Sequence, residues 1–203
     1  MNMIEINNLV KKYHKTTVTK IDKFNFIKGK TYLLIGENGS GKSTLIKLIL
    51  NLIKPTSGSI NLMNNEIGFI PERVNFPEFV SVKTFLKNLL LIRNYESCFI
   101  DHKIDEYLKE WELEDKLIFK LSKGMRQKLL IIQAIIHNPK VYIFDEPLNG
   151  LDKFMQKKFM NYVKFLKIHK KTIIITTHYY KLYKGINDYL IEIIEGKIHD
   201  KSG

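Results

Sequence analysis

The sequence predicts an α/β domain with a mainly parallel β-sheet, and three features carry that expectation. Short apolar runs of β type recur along the chain, at residues 32–35, 67–70, 141–144 and 172–176. Segments with helical periodicity separate them, and strands alternating with helices argue for parallel pairing through helical crossovers. The first run also breaks into a glycine-rich turn that leads straight into an amphipathic stretch. The 203 residues, 44% hydrophobic and 27% charged, fit one domain spanning 1–203, because a chain of this size buries roughly 70% of its unfolded surface.

Taken in order, residues 3–10 alternate as a strand, carrying Ile4, Ile6 and then Leu9. Residues 32–35 form the next run. A helix follows the glycine-rich turn, with Leu45, Ile46, Leu48, Ile49 and Leu52 on its apolar side. Pro55-Thr56-Ser57-Gly58 is a turn, and residues 59–63 and 67–70 are two more strands. From about residue 81 to 138 the pattern becomes helical and glycine is nearly absent. Val82, Phe85, Leu86, Leu89 and Leu90 recur at helical spacing, as do Ile104, Tyr107, Leu108 and Trp111. This is a helical insert, approximately 75–138, within the same domain. Strand character returns at 141–144 and 172–176 with a helix over 152–169 between them. A last pair, 189–194 and 197–199, is joined by Glu195-Gly196. There is no internal repeat and no low-complexity segment.

The net charge of +12 raises the prior for anionic partners. The lysines are spread along helices and turns, for example Lys153, Lys157, Lys158 and Lys164, which favours a solvated basic surface over a nucleic-acid footprint. No apolar stretch approaches the ~20 residues that a bilayer core requires. The N-terminal MNMIEINNLVKKY, with an early Glu5 and no long apolar run, does not read as a signal peptide. Cys98 is the single cysteine, which excludes an internal disulfide and suits a reducing compartment.

Gly36-Glu37-Asn38-Gly39-Ser40-Gly41-Lys42-Ser43 fits the pattern G-x-x-x-x-G-K-S/T, with an apolar strand before it and an amphipathic helix after. Glycines let the backbone fold around phosphate oxygens where a Cβ would crowd them. Backbone N–H groups and the positive end of the helix dipole then point at the anion. Lys42 reaches the β- and γ-phosphates and Ser43 offers a hydroxyl to Mg²⁺. A second motif is the apolar run 141–144 ending in Asp145 and Glu146. Strand alternation would turn the two acids to different sides. Asp145 then suits Mg²⁺ and Glu146 suits a general base for the attacking water. Read alone, they are two solvated acids at a strand end; beside the phosphate loop they read as a catalytic pair.

Further segments resemble the ATP-binding cassette (ABC) ATPases. Leu121-Ser122-Lys123-Gly124-Met125-Arg126-Gln127 resembles the LSGGQ signature, shortly before the acidic strand. Asn149-Gly150-Leu151-Asp152 resembles the D-loop, Thr176-Thr177-His178 the switch histidine, and Tyr13 the aromatic that stacks on adenine. The ordered set runs from Tyr13 to His178. The resemblance implies the ABC ATPase fold: a P-loop core, an antiparallel β part at the N-terminus and a helical subdomain. It implies ATP and Mg²⁺ as cofactors, with ATP hydrolysis coupled to transport. Nucleotide binding falls to Tyr13, to Gly36, Asn38, Gly39, Ser40, Gly41, Lys42, Ser43 and Thr44, and to Glu72, Ser122, Gly124 and Asp152. The metal falls to Ser43, Asp145 and Glu72. Catalysis falls to Glu146, His178 and Lys42. Two chains would meet head to tail, so that Ser122 and the backbone at Gly124 contact the γ-phosphate held by the opposite chain.

Two positions depart from the family pattern. Glu72, in Ile67-Gly68-Phe69-Ile70-Pro71-Glu72, stands where glutamine is usual. It adds negative charge near Asp145 and Glu146 and should raise the proton affinity of that cluster when metal is absent. Lys123 and Met125 replace a glycine and a glutamine of the signature. Lys123 either brings positive charge to the γ-phosphate or faces solvent. Both departures resemble the branch serving antibiotic and bacteriocin exporters and immunity pumps. The implied partners are a membrane permease subunit and a second copy of the chain or a related ATPase. The implied location is the cytoplasmic face of the membrane. Direction leans to export, and the permease would select the transported molecule. A soluble ABC ATPase acting on nucleic acid or ribosomes stays as an alternative, although such relatives usually carry two cassettes or a long coiled coil. An ATPase subunit of a haem or cofactor exporter is another. A small P-loop kinase leaves the signature, the D-loop and His178 unexplained.

Overall fold

A computed structural model describes residues 1–63 and 66–202. Its strands are β1 (Asn2–Tyr13), β2 (Thr16–Ile27), β3 (Thr31–Ile35), β4 (Ser57–Leu62), β5 (Ile67–Ile70), β6 (Val141–Asp145), β7 (Thr172–Thr176), β8 (Tyr189–Ile194) and β9 (Lys197–Asp200). Its helices are α1 (Lys42–Ile49), α2 (Val82–Ile92), α3 (Ser97–Glu110), α4 (Lys123–Ile135) and α5 (Lys153–Ile168). The strands form a three-stranded antiparallel sheet, β2-β1-β4, and a six-stranded sheet, β5-β6-β7-β3-β8-β9. The larger sheet is parallel except for the β8–β9 hairpin. The expected α/β fold is present, with a mainly parallel sheet and an antiparallel N-terminal part.

Strands β6 and β7 are buried along their whole length, and β3 nearly so, which explains why they read as continuous apolar runs rather than as alternation. Each nevertheless sorts its side chains by face. Leu33, Tyr142, Phe144, Ile173 and Ile175 join the core beneath α2, α3, α4 and α5. Tyr32, Leu34, Val141, Ile143 and Ile174 join a second core, which α1 and the antiparallel sheet close. The helical layer packs closely at one point: a Cβ on Gly68 of β5 would lie 2.1 Å from the Ala134 carbonyl oxygen of α4. Side chains cap three helices. Ser81, Ser122 and Asp152 accept from the backbone N–H of Thr84, Met125 and Met155 at the starts of α2, α4 and α5.

Several local expectations change. The expected strand at 3–10 extends through Tyr13 and turns back as β2, which no alternation in the sequence had marked. Ser57 and Gly58, expected in a turn, belong to β4. Gly58 has φ +80° and a Cβ there would lie 2.1 Å from the Asn8 carbonyl oxygen. The β1–β4 register shifts at the same place, so this glycine serves a bulge rather than a turn. Leu52, expected on the apolar side of α1, is exposed because the helix stops first. Asn51 takes φ +55°, a left-handed residue just beyond the helix end. The helical stretch of 81–138 divides into α2, α3 and α4, with a single 3-10 turn at Ile118–Lys120.

Candidate nucleotide site

Because β3 lies between β7 and β8, and β6 lies beside β7, the carboxyl ends of β3, β6 and β7 form one edge. That is where open parallel sheets bind ligands. The glycine-rich loop leaves β3 here. Gly41 caps α1 with φ +108°, and a Cβ on it would lie 2.9 Å from the Val18 carbonyl oxygen. The β8–β9 turn props the loop from behind, through the Gly196 N–H donating to the Ser40 carbonyl at 2.8 Å. Lys42 is buried, and its ammonium donates to the carbonyls of Gly36 (2.7 Å) and Glu37 (2.9 Å). Burial lowers the pKa of Lys42, against the attraction of Glu146, Asp145 and Glu72.

Asp145 is the last residue of β6, paired with Thr176 of β7. The Thr176 hydroxyl donates to Asp145 Oδ1, and Ser43 bonds the same carboxylate. Burial raises the pKa of Asp145, the hydrogen bonds from Thr176 and Ser43 oppose it, and Glu72 adds to the rise. The extra acid at Glu72 thus does to Asp145 what its charge predicts. Glu146 lies one residue beyond the strand with φ +50°, in the sparsely populated left-handed region. Its N–H is shared between the Thr176 carbonyl and hydroxyl, at 3.2 Å each. This backbone twist overturns the expectation from strand alternation: Asp145 and Glu146 line the same pocket instead of facing apart. The Glu146 side chain is held by His178, whose Nε2 stands 3.3 Å from Oε1 and whose backbone N–H donates to Oε2 at 3.4 Å. Burial raises the pKa of Glu146, and His178 opposes it.

The cavity measures about 450 Å³ and is lined by Val18, Asn38, Gly39, Gly41, Lys42, Ser43, Thr44, Glu72, Asp145, Glu146, Asn149 and His178. One cation, three carboxylates, two hydroxyls and the start of a helix therefore face one volume. Gly36 and Ser40 line an adjoining cleft with Glu192 and Glu195. Tyr13 lies off the cavity wall, exposed at the end of β1 with the Lys11 ammonium 5.0 Å from its ring centroid. Ser122, Gly124 and Asp152 also lie off this wall. Ser122 is exposed at the start of α4, and Asp152 caps α5. The sequence had not singled out Val18, Asn149 or Thr176 for roles of their own. Thr176 had a signal, as the polar end of an apolar strand beside the acids; Val18 had none. Two glutamines tie α4 to this edge: Gln133 Nε2 donates to the Phe69 carbonyl, and Gln127 Nε2 to the Pro147 carbonyl. Among the described residues no group of three or more His, Cys, Asp and Glu side chains is placed to hold a metal alone. None of their helices is long and apolar enough to cross a membrane.

Comparison with known proteins agrees with this geometry. A family profile described as ABC transporter matches residues 19–149. The lantibiotic transport ATP-binding protein SrtF of Streptococcus pyogenes is 32% identical, over 97% of this chain and 89% of that protein. The bacitracin transport ATP-binding protein BcrA of Bacillus licheniformis is 34% identical, over 97% and 68%. A solved dimeric ATP-binding cassette in a post-hydrolysis state, bound to ADP and Pi, superposes with a TM-score of 0.86 at 25% identity over 98% of both chains. The lysine-bearing loop, the twisted acidic strand end and these likenesses lead to one assignment: this chain belongs to the ABC transporter family, as an ATP-hydrolysing, ATP-binding subunit.

Proposed function

We propose that two copies of this chain, or one copy and a related cassette, close over two ATP molecules and that their opening and closing drives export through a separate membrane permease. One observation carries the reading. Lys42, Asp145, Glu146 and His178 share one cavity wall, while Ser122 is exposed at a helix start away from it. That helix start is an anion site with no phosphate of its own subunit to serve. The dimeric solved cassette and the two antibiotic-transport relatives support the same arrangement.

In this reading the loop from Gly36 to Thr44 cradles the phosphates with backbone N–H groups. Lys42 exchanges its loop carbonyls for phosphate oxygens. Glu146 orients and deprotonates the attacking water, and His178 fixes the rotamer of Glu146 and faces the γ-phosphate. Tyr13, moving from its exposed position, stacks on the base, and Asp152 belongs to the loop that meets the opposite subunit. Mg²⁺ fits the donor set, since Ser43 and Asp145 offer oxygens already hydrogen-bonded to each other, and it would neutralise phosphate charge when bound. Glu72, on the same cavity wall, would add a third oxygen donor for the ion and link the site to the helical subdomain of approximately 75–138. A mostly apolar cavity of about 470 Å³, lined by Pro77, Val80, Phe85, Leu89 and Ile92 with Asn88 and Arg93 at its polar side, offers the permease a docking surface there. The complex would sit at the cytoplasmic face of the membrane.

Glu146→Gln tests the proposal. It should bind ATP, lose turnover by a factor on the order of 10² to 10⁴, and accumulate as an ATP-dependent dimer in analytical ultracentrifugation. Normal turnover, or a monomer at saturating ATP, would refute it.

A further inference from the structure

We infer that Lys123 is a positioning residue whose aliphatic stem braces the loop Asn149–Asp152 against the first turn of α4. The brace makes the water-orienting Glu146 of one ATP site and the signature serine offered to the other move as one piece. The inference rests on the opposed-dimer reading above. Lys123 occupies the first helical position of α4. A cation there opposes the helix dipole. Among the described residues its ammonium has no carboxylate partner, so the charge gains nothing locally. The stem, by contrast, occupies the space beside Gly150 that a side chain there would need. The Cε, Cγ and Cδ atoms of Lys123 lie 3.3, 3.4 and 3.7 Å from where a Cβ on Gly150 would stand. Long basic side chains commonly cover surface with their methylenes while the head stays in water.

Gly150 suits this contact in two ways. Its φ of +80° lies in the left-handed region, and the missing side chain leaves room for the lysine. The start of α4 also approaches the segment 147–150 at two other places. A Cβ on Gly124 would come 3.3 Å from the Gly150 carbonyl oxygen, and Gln127 Nε2 donates to the Pro147 carbonyl at 2.9 Å. The loop in turn is pinned to Glu146 by the Asn149 N–H donating to the Glu146 carbonyl at 3.2 Å. The chain of contacts therefore runs Glu146, Asn149, Gly150, Lys123, Ser122. It joins groups that serve different nucleotides. Of these links, Lys123 is the one for which the family's usual glycine offers no side chain.

The test compares Lys123→Ala, which removes the stem, with Lys123→Met, which keeps a stem of similar length and removes the charge. Steady-state ATPase kinetics are measured with the otherwise intact chain, and ATP-dependent dimerisation in the Glu146→Gln background. Lys123→Ala should lower kcat roughly threefold to tenfold and weaken the dimer, with KM for ATP nearly unchanged, because contacting residues couple on that scale. Lys123→Met should restore both. Equal loss in the two variants overturns the inference, since the charge would then act on the phosphate. Normal behaviour of Lys123→Ala overturns it as well. A double-mutant cycle adds an independent readout. Gly150→Ala should cost more kcat beside Lys123 than beside Ala at 123, and equal costs count against the brace. If the Glu146→Gln parent forms no ATP-dependent dimer, the opposed-dimer reading falls and takes this inference with it. A normal parent dimer with an unaffected Lys123→Ala removes the inference alone.

Discussion

Acidification from pH 7 to pH 5 should cost this protein stability through His137. The side chain is 7% exposed, just beyond α4. Its Nε2 lies 3.3 Å from the Ile67 carbonyl and its Nδ1 is buried. Burial, reinforced by the positive charges of Arg93 and Lys103, lowers its pKa from the ordinary 6.5 to about 4, against the pull of the Ile67 and Gln133 carbonyls. The folded pKa is below the unfolded one, so between these values the unfolded chain binds more protons. The contribution to stability is therefore complete above pH 6.5, falls as the pH drops, and levels off near pH 4. At about 1.4 kcal/mol per pKa unit, the loss reaches about 2 kcal/mol at pH 5 and about 3 kcal/mol at pH 4. Asp145 and Glu146 have raised pKa values and act in the opposite sense, so the wild type alone is a poor reporter. The measurement is urea unfolding of wild type and His137→Gln at pH 7.5, 6 and 5. Glutamine preserves a donor near Ile67 and removes the titration. The stability gap between the two should change by about 2 kcal/mol in favour of the variant at pH 5. Parallel stability profiles would refute the argument.

Three further outcomes follow from the site and its supports. Gly41→Ala forces a Cβ into a φ of +108° and to 2.9 Å from the Val18 carbonyl oxygen; strain of about 1–3 kcal/mol should weaken ATP binding by about fivefold to 150-fold in fluorescent-nucleotide titration. Gly68→Ala drives a Cβ to 2.1 Å from the Ala134 backbone oxygen, with Pro139 and Tyr142 also close; it should lower unfolding free energy by about 3 kcal/mol or more in urea. Thr176→Val removes the hydroxyl shared by Asp145 and the Glu146 N–H; stability should fall by about 1–3 kcal/mol, and ATPase assays should show kcat falling more than KM rises.

The parallel sheet was legible because β3, β6 and β7 are buried on both faces, which leaves uninterrupted apolar runs bounded by turn residues. The glycine-rich loop between β3 and α1 was legible because its pattern is tied to local spacing and needs no tertiary partner. The second strand of the N-terminal hairpin was not. Only Thr19, Ile21 and Phe26 of β2 are buried, and a register shift between Lys11 and Lys12 disturbs the pairing. Gly58 was misplaced for a related reason, since a bulge glycine and a turn glycine look alike until the opposing strand is known. The convergence of Asp145 and Glu146 was hidden because alternation presumes extended backbone, and Glu146 abandons it. Lys123 could not be assigned either, because its neighbour Gly150 lies far along the chain and has no side chain to signal the contact.

The alignment of β6 with β7 has a bearing on how errors in folding would appear. Slipping β6 by one residue would point Val141 and Ile143 into the space shaped for Tyr142 and Phe144, and push two aromatic rings toward α1. Both faces are apolar, so polarity would not oppose the slip; side-chain volume would. The same slip would rotate the carboxylate of Asp145 away from Ser43 and leave Thr176 without its acceptor. Ring size in the interior therefore acts as a vernier for the edge that carries Asp145, and a chain that misplaces its acids also misfits its core.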